Sequence, residues 1–189
     1  MSFRIRDVIV AGIALIFILP VMLGLTLALW VTQGGPFFKQ LRPGLKGKEF
    51  YILKFRKLMR TEDGKLAYTK MGRWMERTSL DELPQLINVL KGDMSLVGPR
   101  PLLMEYLELY SPEEKRRHDV RPGITGWAQV HGRSTISFKQ RFQLDLWYVE
   151  NRSHLLDLKI MWQTLALVVA PPSNADADAN DDYRYDGTN

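Results

Sequence analysis

The stretch VIVAGIALIFILPVMLGLTLALWV, residues 8–31, contains 24 consecutive residues without a charge. As a straight helix it would be about 36 Å long, whereas the hydrocarbon core of a bilayer is about 30 Å thick. The apolar part of a signal peptide is shorter, and no Ala-x-Ala cleavage site follows this stretch. We therefore expect a membrane-inserted helix rather than a cleaved signal peptide or the core helix of a water-soluble domain.

Pro20 lies near the middle of this stretch, where the missing N–H and the proline ring normally kink a helix. Arg4 and Arg6 precede the stretch, and basic residues follow it closely at positions 39, 42, 46 and 48. Positive residues mark the cytoplasmic side of a membrane segment, and here they mark both flanks. Two arrangements fit: a re-entrant hairpin bent at Pro20 that enters and leaves through one face, or an ordinary kinked span oriented by the stronger cluster.

The whole chain has 189 residues, 46% hydrophobic and 25% charged, a composition that predicts one folded domain with an anchor. Because there is no cysteine, thiolate nucleophiles, disulfides and Cys-ligated zinc are excluded. Residues 1–175 carry 25 basic and 16 acidic residues, an excess of +9 that favours nucleic acid, anionic lipid or a phosphorylated substrate. We predict a membrane-inserted segment (1–35), a catalytic domain (36–172) and a disordered acidic tail (173–189).

The pattern after the anchor predicts an α+β fold that is rich in helices and has a small β element. Residues 50–59 alternate at period two, with basic residues on one face, as in a strand. Apolar residues recur on one helical face over residues 83–90, and Ser111-Pro112-Glu113-Glu114 is a capping box. Two late amphipathic helices are separated by residues 151–153, and we expect them to lie along the membrane interface.

Asp81 and Glu82 are the strongest candidates for chemistry. The sequence contains no GxxxxGK[ST] loop, dinucleotide glycine motif, HExxH or GxSxG. Two adjacent carboxylates at a helix start gain from the positive end of the helix dipole, which also attracts phosphate. The alternative is structural: Ser79 and Glu82 form a capping box, and Asp81 is only a favourable first-turn charge.

Two stiff loops add arginines to this pattern. Arg100 lies between Pro99 and Pro101, and Arg121 precedes Pro122 and a glycine-rich turn. The planar guanidinium group suits phosphate oxygens. Either loop alone could be a rigid turn, but with the anchor and the carboxylates they indicate phosphoryl chemistry at a membrane surface, where a metal ion would offset charge.

The three histidines give no support to a metal site. His118, His131 and His154 share no ligand spacing, and we expect each of them to be solvated or to cap a helix.

Three segments resemble a known family: LKFRKLM (residues 53–59), RTSLDELPQLINVLKGDMSLVGPRP (77–101) and RPGITGWAQVHGR (121–133) are similar to the monotopic phosphoglycosyl transferases, which are bacterial sugar transferases. The resemblance runs in order over residues 1–170, and the chain length is similar to that of the small single-domain members. It implies a re-entrant helix bent at Pro20 and an active site on the cytoplasmic face of the bacterial inner membrane. Leu19 and Glu76 depart from the pattern, which often has a serine and a basic residue there.

The resemblance also implies an activity. Such enzymes transfer a sugar 1-phosphate from a UDP-sugar to a polyprenol phosphate such as undecaprenyl phosphate, require Mg²⁺ and release UMP. Asp81 would attack the sugar-linked phosphate to form a covalent aspartyl-phosphosugar, and Glu82 would bind the metal or assist proton transfer, so both are candidate metal ligands. The candidate substrate-binding residues are Lys54, Arg100, Arg121, Arg133 and Asp157.

The partners expected for this activity are the UDP-sugar, the polyprenol phosphate and membrane lipid, without nucleic acid. Two alternatives stay open. A non-catalytic, membrane-tethered module that binds nucleic acid or lipid would show salt-sensitive binding and no turnover. A transferase without a covalent stage would release no UMP until the lipid acceptor is supplied.

Overall fold

The computed structural model describes residues 2–132, 136–169 and 185–186, and its elements are helical with small sheets, as predicted. The helices are α1 (Phe3–Gln33), α2 (Lys70–Arg77), α3 (Gln85–Lys91), α4 (Trp127–His131), α5 (Phe138–Asn151) and α6 (His154–Val169). The strands are β1 (Phe37–Pro43), β2 (Glu49–Phe55), β3 (Leu58–Arg60), β4 (Leu66–Tyr68), β5 (Ser95–Val97) and β6 (Gly123–Thr125). They form three two-stranded sheets, β1–β2, β3–β4 and β5–β6. The α+β class is therefore confirmed.

The chain divides into two compact units: Met1–Gln40 with Tyr51–Lys91, and Leu41–Phe50 with Gly92–Asn189. The first unit contains α1, which continues as one helix of 31 residues with Pro20 inside it. It ends at Gly34, whose left-handed backbone (φ 66°) lets its N–H donate to the carbonyl of Trp30. Among the described residues, α1 is the one helix long and apolar enough to cross a membrane, and 17% of its most apolar window is buried.

The core of the first unit forms where the second half of α1 meets β2 and α2. Its buried members are Met22, Leu25, Leu29, Phe55 and Met75. Fully burying a side chain of this size contributes about 1.5–3 kcal/mol. This cluster therefore fixes the C-terminal half of α1 on the unit, and the outward-facing apolar residues of α1 stay exposed.

The predicted strand over residues 50–59 is divided in the structure. β2 ends at Phe55, and the next amide, that of Arg56, donates to the carbonyl of Pro36 (2.8 Å). The chain then forms a separate antiparallel hairpin in which Leu58 pairs with Tyr68 and Arg60 with Leu66. The strand prediction was therefore right in type but too long, because contacts distant in sequence set its end.

The second unit is organised around the parallel pair β5–β6, in which Ser95 is opposite Gly123 and Val97 opposite Thr125. α6 contacts both strands, and α4 contacts α5 and α6. The two late helices occupy the predicted segments, and Ser111 and Glu114 form the predicted reciprocal capping bonds, at 3.2 and 2.8 Å. The predictions of the two late helices and of this capping box are therefore confirmed.

Aromatic rings fill the other part of the second unit. The buried cluster consists of Leu102, Tyr106, Tyr110, Phe138, Phe142 and Tyr185. The ring of Tyr185 lies 5.0 Å from that of Phe142 and is nearly perpendicular to it. Tyr185 belongs to the predicted acidic tail, so the chain is packed at this position; residues 173–184 and 187–189, on which the rest of that prediction falls, lie outside the described residues.

Candidate active site

Asp81 and Glu82 lie in a short 3-10 turn (Leu80–Glu82) between α2 and α3, and not in the first turn of α3 itself. Ser79 precedes the turn in the left-handed region (φ 56°), which costs a non-glycine residue about 1 kcal/mol or more. The side chain of Ser79 makes no capping hydrogen bond. The capping box that would explain the carboxylates as purely structural is therefore not formed.

Lys54 binds Glu82 directly. The Nζ atom of Lys54, near the end of β2, donates to Oε1 of Glu82 at 2.8 Å, and the two side chains are 17% and 15% exposed. Asp81 is buried, with 4% of its surface exposed. The structure thus brings three predicted site residues, Lys54, Asp81 and Glu82, into one cluster within the first unit.

Lys57 is a fourth member of this cluster that the sequence interpretation missed. Its Nζ binds Oε1 of Glu76, and the hydroxyl of Tyr68 donates to the same oxygen at 2.9 Å. Burial alone would lower the pKa of Lys57, but the hydrogen bond to Glu76 and the negative charges of Asp81 and Glu76 raise it. Lys57 therefore stays protonated beside Asp81. The available signal was Glu76, which departs from the family pattern and is the partner of this lysine.

Asn88 holds the strand that carries Lys54 against α3. Its Nδ2 donates to the carbonyl of Tyr51 at 2.8 Å, and its Oδ1 accepts from the amide of Leu53 at 3.0 Å. Since Asn88 is 1% exposed, loss of either bond would leave a buried polar group without its partner. These two hydrogen bonds fix the register of β2 beside α3 and so position Lys54.

The second unit joins the two predicted arginine loops. The amide of Gly98 donates to the carbonyl of Thr125 (2.9 Å), and that of Gly123 donates to the carbonyl of Pro99 (3.1 Å). A Cβ atom on Gly123 would lie 2.1 Å from the amide nitrogen of Gly98, so only glycine permits this approach. The structure therefore brings the loops of Arg100 and Arg121 together through their backbones.

The three remaining predicted site residues have different surroundings. Nε of Arg121 donates to the carbonyl of Gly92 at 2.8 Å, so one N–H of its guanidinium group is bonded to the backbone. Asp157 is fully buried, and its Oδ1 accepts from the hydroxyl of Tyr148 at 2.7 Å. Burial and then the charge of Asp157 raise the pKa of Tyr148, so this phenol stays protonated. Arg133 lies outside the described residues. Substrate contacts by these three residues and by Arg100 stay predictions.

The carboxylates suit a magnesium ion that is shared with a substrate. Mg²⁺ is usually bound by one or two carboxylates, with phosphate oxygens and water completing its coordination. Asp81 and Glu82 supply adjacent carboxylates, and Oε1 of Glu82 accepts a hydrogen bond from Lys54. Within the described ranges, no three His, Asp or Glu side chains converge on a possible metal position. The donor set thus fits an ion held partly by a diphosphate and does not form a complete protein cage.

Sequence comparison places these residues in a family. The sequence model of the family described as bacterial sugar transferase matches residues 1–171. The uncharacterized sugar transferase EpsL of Bacillus subtilis is 56% identical over 144 residues, which cover 72% of this chain and 71% of the relative. The UDP-glucose:undecaprenyl-phosphate glucose-1-phosphate transferase of Escherichia coli is 39% identical over 180 residues, which cover 86% of this chain and 39% of the relative.

A third relative carries a different sugar in its name. The UDP-N-acetylgalactosamine-undecaprenyl-phosphate N-acetylgalactosaminephosphotransferase of Aeromonas hydrophila is 36% identical over 182 residues, covering 88% of this chain and 43% of the relative. The chain therefore spans less than half the length of this protein and of the Escherichia coli one.

The chain belongs to the bacterial sugar transferase family. The predicted resemblance is confirmed, and so is the prediction of a transferase.

Proposed function

We propose that this protein transfers a sugar 1-phosphate from a UDP-sugar to a polyprenol phosphate, with release of UMP. The observation that supports the proposal best is the buried Asp81, which interacts electrostatically with Lys57 and is followed by a Glu82 bonded to Lys54, in a family whose relatives are named for this transfer. Phosphoryl transfer depends on positioning and on stabilising negative charge, and this cluster offers both. The same features speak against a non-catalytic binding module.

The proposed mechanism has two steps at one phosphorus atom. A carboxylate oxygen of Asp81 attacks the sugar-linked phosphorus; the bond from that phosphorus to the bridging oxygen breaks, and UMP leaves with this oxygen. An oxygen of the polyprenol phosphate then attacks the same phosphorus and displaces Asp81. The products are a polyprenyl diphosphate sugar and the regenerated carboxylate. As a carboxylate, Asp81 carries no proton on the attacking oxygen, so this mechanism requires no general base.

The remaining residues of the cluster hold and offset charge. Lys54 fixes Glu82, and Lys57 places a second positive charge next to Asp81, where the diphosphate has to approach. Mg²⁺, when bound, would act as a Lewis acid on the phosphate oxygens. Asp81 and Glu82 would hold it, and Arg100, Arg121 and Arg133 are proposed to contact the phosphates or the nucleotide.

The membrane arrangement is part of the proposal. We propose that α1 enters and leaves the cytoplasmic face of the bacterial inner membrane by the same side, bent at Pro20. Two contacts support this: Arg4 donates to the carbonyl of Leu90 (2.7 Å), and Gln33 at the other end donates to Thr69 (3.3 Å). Both partners belong to the first unit, whereas the ends of a straight 31-residue helix are about 46 Å apart.

The helices α5 and α6 are proposed to lie along a membrane surface. The exposed apolar residues of this face include Trp147, Leu155, Leu158, Trp162 and Leu165, and Trp162 is 74% exposed. Large exposed apolar surface at a helix face is typical of interfacial binding. This face would hold the second unit at the surface of the lipid layer.

The decisive experiment supplies UDP-glucose, or UDP-N-acetylgalactosamine, with Mg²⁺ and without lipid acceptor. We expect about one UMP per protein and an increase of intact protein mass by one phosphosugar, and neither in Asp81→Asn. Asp63→Asn, in an exposed loop, is the matched control and should behave as the wild type.

Two outcomes would contradict the proposal in different ways. UMP that appears only when polyprenol phosphate is added, with no protein adduct, would support direct transfer. No turnover of any UDP-sugar with acceptor present would favour a binding module.

A further inference from the structure

Arg117 and Asp145 form an ion pair in the interior of the second unit. Their side chains are 1% and 2% exposed, and Nη2 and Nε of Arg117 lie 2.6 and 3.2 Å from Oδ2 of Asp145. Transfer of both charges from water costs several kcal/mol per ion, and well-packed apolar residues often stabilise such a position as well or better. A contribution to stability alone is therefore a weak explanation of why an ion pair occupies this buried position.

The other hydrogen bonds of the Arg117 guanidinium suggest what the buried pair does. Nη2 also donates to the backbone carbonyl of Arg100 at 2.9 Å, and Nη1 donates to the hydroxyl of Tyr110 at 3.2 Å. The guanidinium lies 5.2 Å from the ring centre of Phe142 and 5.7 Å from that of Tyr110. One buried fork is thus fixed by a carboxylate and two rings, and it contacts the backbone of a candidate substrate-binding residue.

The loop of Arg100 needs such a contact because its own backbone offers few hydrogen bonds. Pro99 and Pro101 have no N–H, so neither neighbour of Arg100 can donate. The carbonyl of Pro99 accepts from Gly123 (3.1 Å), and the carbonyl of Arg100 accepts from Arg117. Arg117 therefore binds the loop at the residue whose side chain the site would use.

We propose that the buried Arg117–Asp145 pair is a positioning device that fixes the backbone of Arg100 and so directs its guanidinium towards the phosphates of the donor. The inference rests on the proposed function, because it assigns a task to Arg100 in binding the UDP-sugar. Arg117 is a positioning residue and not a catalytic one. The contact through which it would act on the site is its hydrogen bond to the carbonyl of Arg100.

The test replaces the pair by apolar residues in the full-length protein in detergent. In Arg117→Met with Asp145→Leu, no buried charge is left unpaired, so the thermal midpoint should stay within about 5 °C of the wild-type value. The hydrogen bond from Arg117 to the carbonyl of Arg100, called the tether below, is nevertheless lost. We expect KM for UDP-glucose to rise about tenfold with less than about a twofold change in kcat. Hydrogen exchange in residues 98–103 should become faster.

A second variant covers the case in which the apolar pair fails to fold. Arg117→Lys keeps the charge beside Asp145 but replaces the fork by one ammonium group, which is unable to reproduce the set of bonds to Asp145, Tyr110 and Arg100. KM should rise and exchange in residues 98–103 should increase. The matched control is Arg116→Gln with Glu150→Gln, which removes an exposed pair (2.9 Å) in the same two segments and should change neither readout.

Each result supports or overturns the inference. Wild-type exchange in residues 98–103 in the folded variants would show that Arg117 does not fix the loop, and faster exchange with wild-type KM would show that the tether has no part in donor binding. If the wild-type protein itself releases no UMP, the proposed function fails. The exchange measurement would still report separately on the tether.

Discussion

At the scale of single residues, the two carboxyl groups of the candidate site have different surroundings. Oε1 of Glu82 accepts a hydrogen bond from Lys54 at 2.8 Å. Asp81 is nearly fully buried and interacts electrostatically with Lys57, which is hydrogen-bonded to Glu76. Glu82 therefore already binds a positive charge, that of Lys54, in this structure. Asp81 is close enough to the charge of Lys57 to raise the pKa of that lysine, and Asp81 is the residue that attacks phosphorus in the proposed mechanism.

His118 provides a pH-dependent prediction. It was expected to be solvated or to cap a helix, but it is buried (7% exposed), with Nδ1 3.2 Å from the carbonyl of Gly44 and its ring 5.8 Å from that of Tyr110. Burial and then the charge of Arg117 lower its pKa to about 4. The folded protein therefore resists protonation of His118, although the unfolded chain accepts a proton near pH 6.5.

Because the pKa of His118 is lower in the folded protein than in the unfolded chain, acid should destabilise the fold. The free energy of unfolding keeps the full contribution of neutral His118 above pH 6.5 and loses about 3 kcal/mol of it as the pH falls from 6.5 to 4. In His118→Phe, which keeps a ring beside Tyr110, the thermal midpoint should fall less steeply over this interval. His154→Phe, at an exposed histidine, should retain the wild-type slope; equal slopes in all three proteins would contradict the assignment.

At the scale of elements, α2 rests on the backbone of Lys57 through Gly72. A Cβ atom at Gly72 would lie 2.1 Å from the carbonyl oxygen of Lys57, which also accepts from the amide of Thr69. In Gly72→Ala, α2 has to move away, and the same helix carries Glu76. We expect about 2 kcal/mol lower stability despite the better helix propensity of alanine, and a higher KM for the donor.

Thermal unfolding and donor kinetics of Gly72→Ala check this prediction. The control is Gly24→Ala in α1, where an added Cβ meets no atom within 4 Å and should leave both quantities unchanged. A stable Gly72→Ala protein with wild-type kinetics would mean that the contact between α2 and Lys57 is not tightly set.

The elements that sequence reasoning predicted well are those specified by nearby residues. The helices of residues 138–151 and 154–169 have an apolar period and a clear break between them, and the bonds of Ser111 and Glu114 depend only on a four-residue motif. The carboxylates of the candidate site could be proposed because they are adjacent in the sequence and lie in a segment that resembles the family.

Features that depend on distant contacts were not predictable in this way. The end of β2 at Phe55, the bonding of Lys57 to Glu76 and the burial of Arg117 with Asp145 each join segments 19 or more residues apart. A charged residue in a sequence gives no sign of whether a partner elsewhere will bury it. Lys54 became a candidate only through the family resemblance, and its bond to Glu82, 28 residues further along the chain, was not predicted.

At the scale of the whole molecule, charge and apolar surface favour the same environment. The +9 excess of residues 1–175 would attract anionic lipid, and acyl chains would cover the exposed apolar faces of α1 and α6. An enzyme held in this way would meet its lipid acceptor by diffusion in two dimensions, while the nucleotide sugar arrives from the water.

The membrane path of α1 can be decided by labelling, because the chain has no cysteine of its own. Single substitutions Ser2→Cys and Lys39→Cys place one thiol before and one after the helix, and a membrane-impermeant reagent is applied to intact and to inverted membranes. If α1 enters and leaves by one face, both thiols react only in inverted membranes. Reaction of the two thiols from opposite sides would contradict the hairpin.

Pro20→Ala in the same background tests the cause of the bend. It restores the missing N–H and removes the ring clash, which is worth about 3 kcal/mol in a helix interior. We expect a fraction of Ser2→Cys to become reactive from the other side, since a straight helix spans the bilayer. Leu19→Ala, which changes a neighbouring exposed side chain without altering the backbone, should keep both thiols on one side. The contacts of Arg4 and Gln33 with one unit oppose the change, so a full inversion would require both contacts to break.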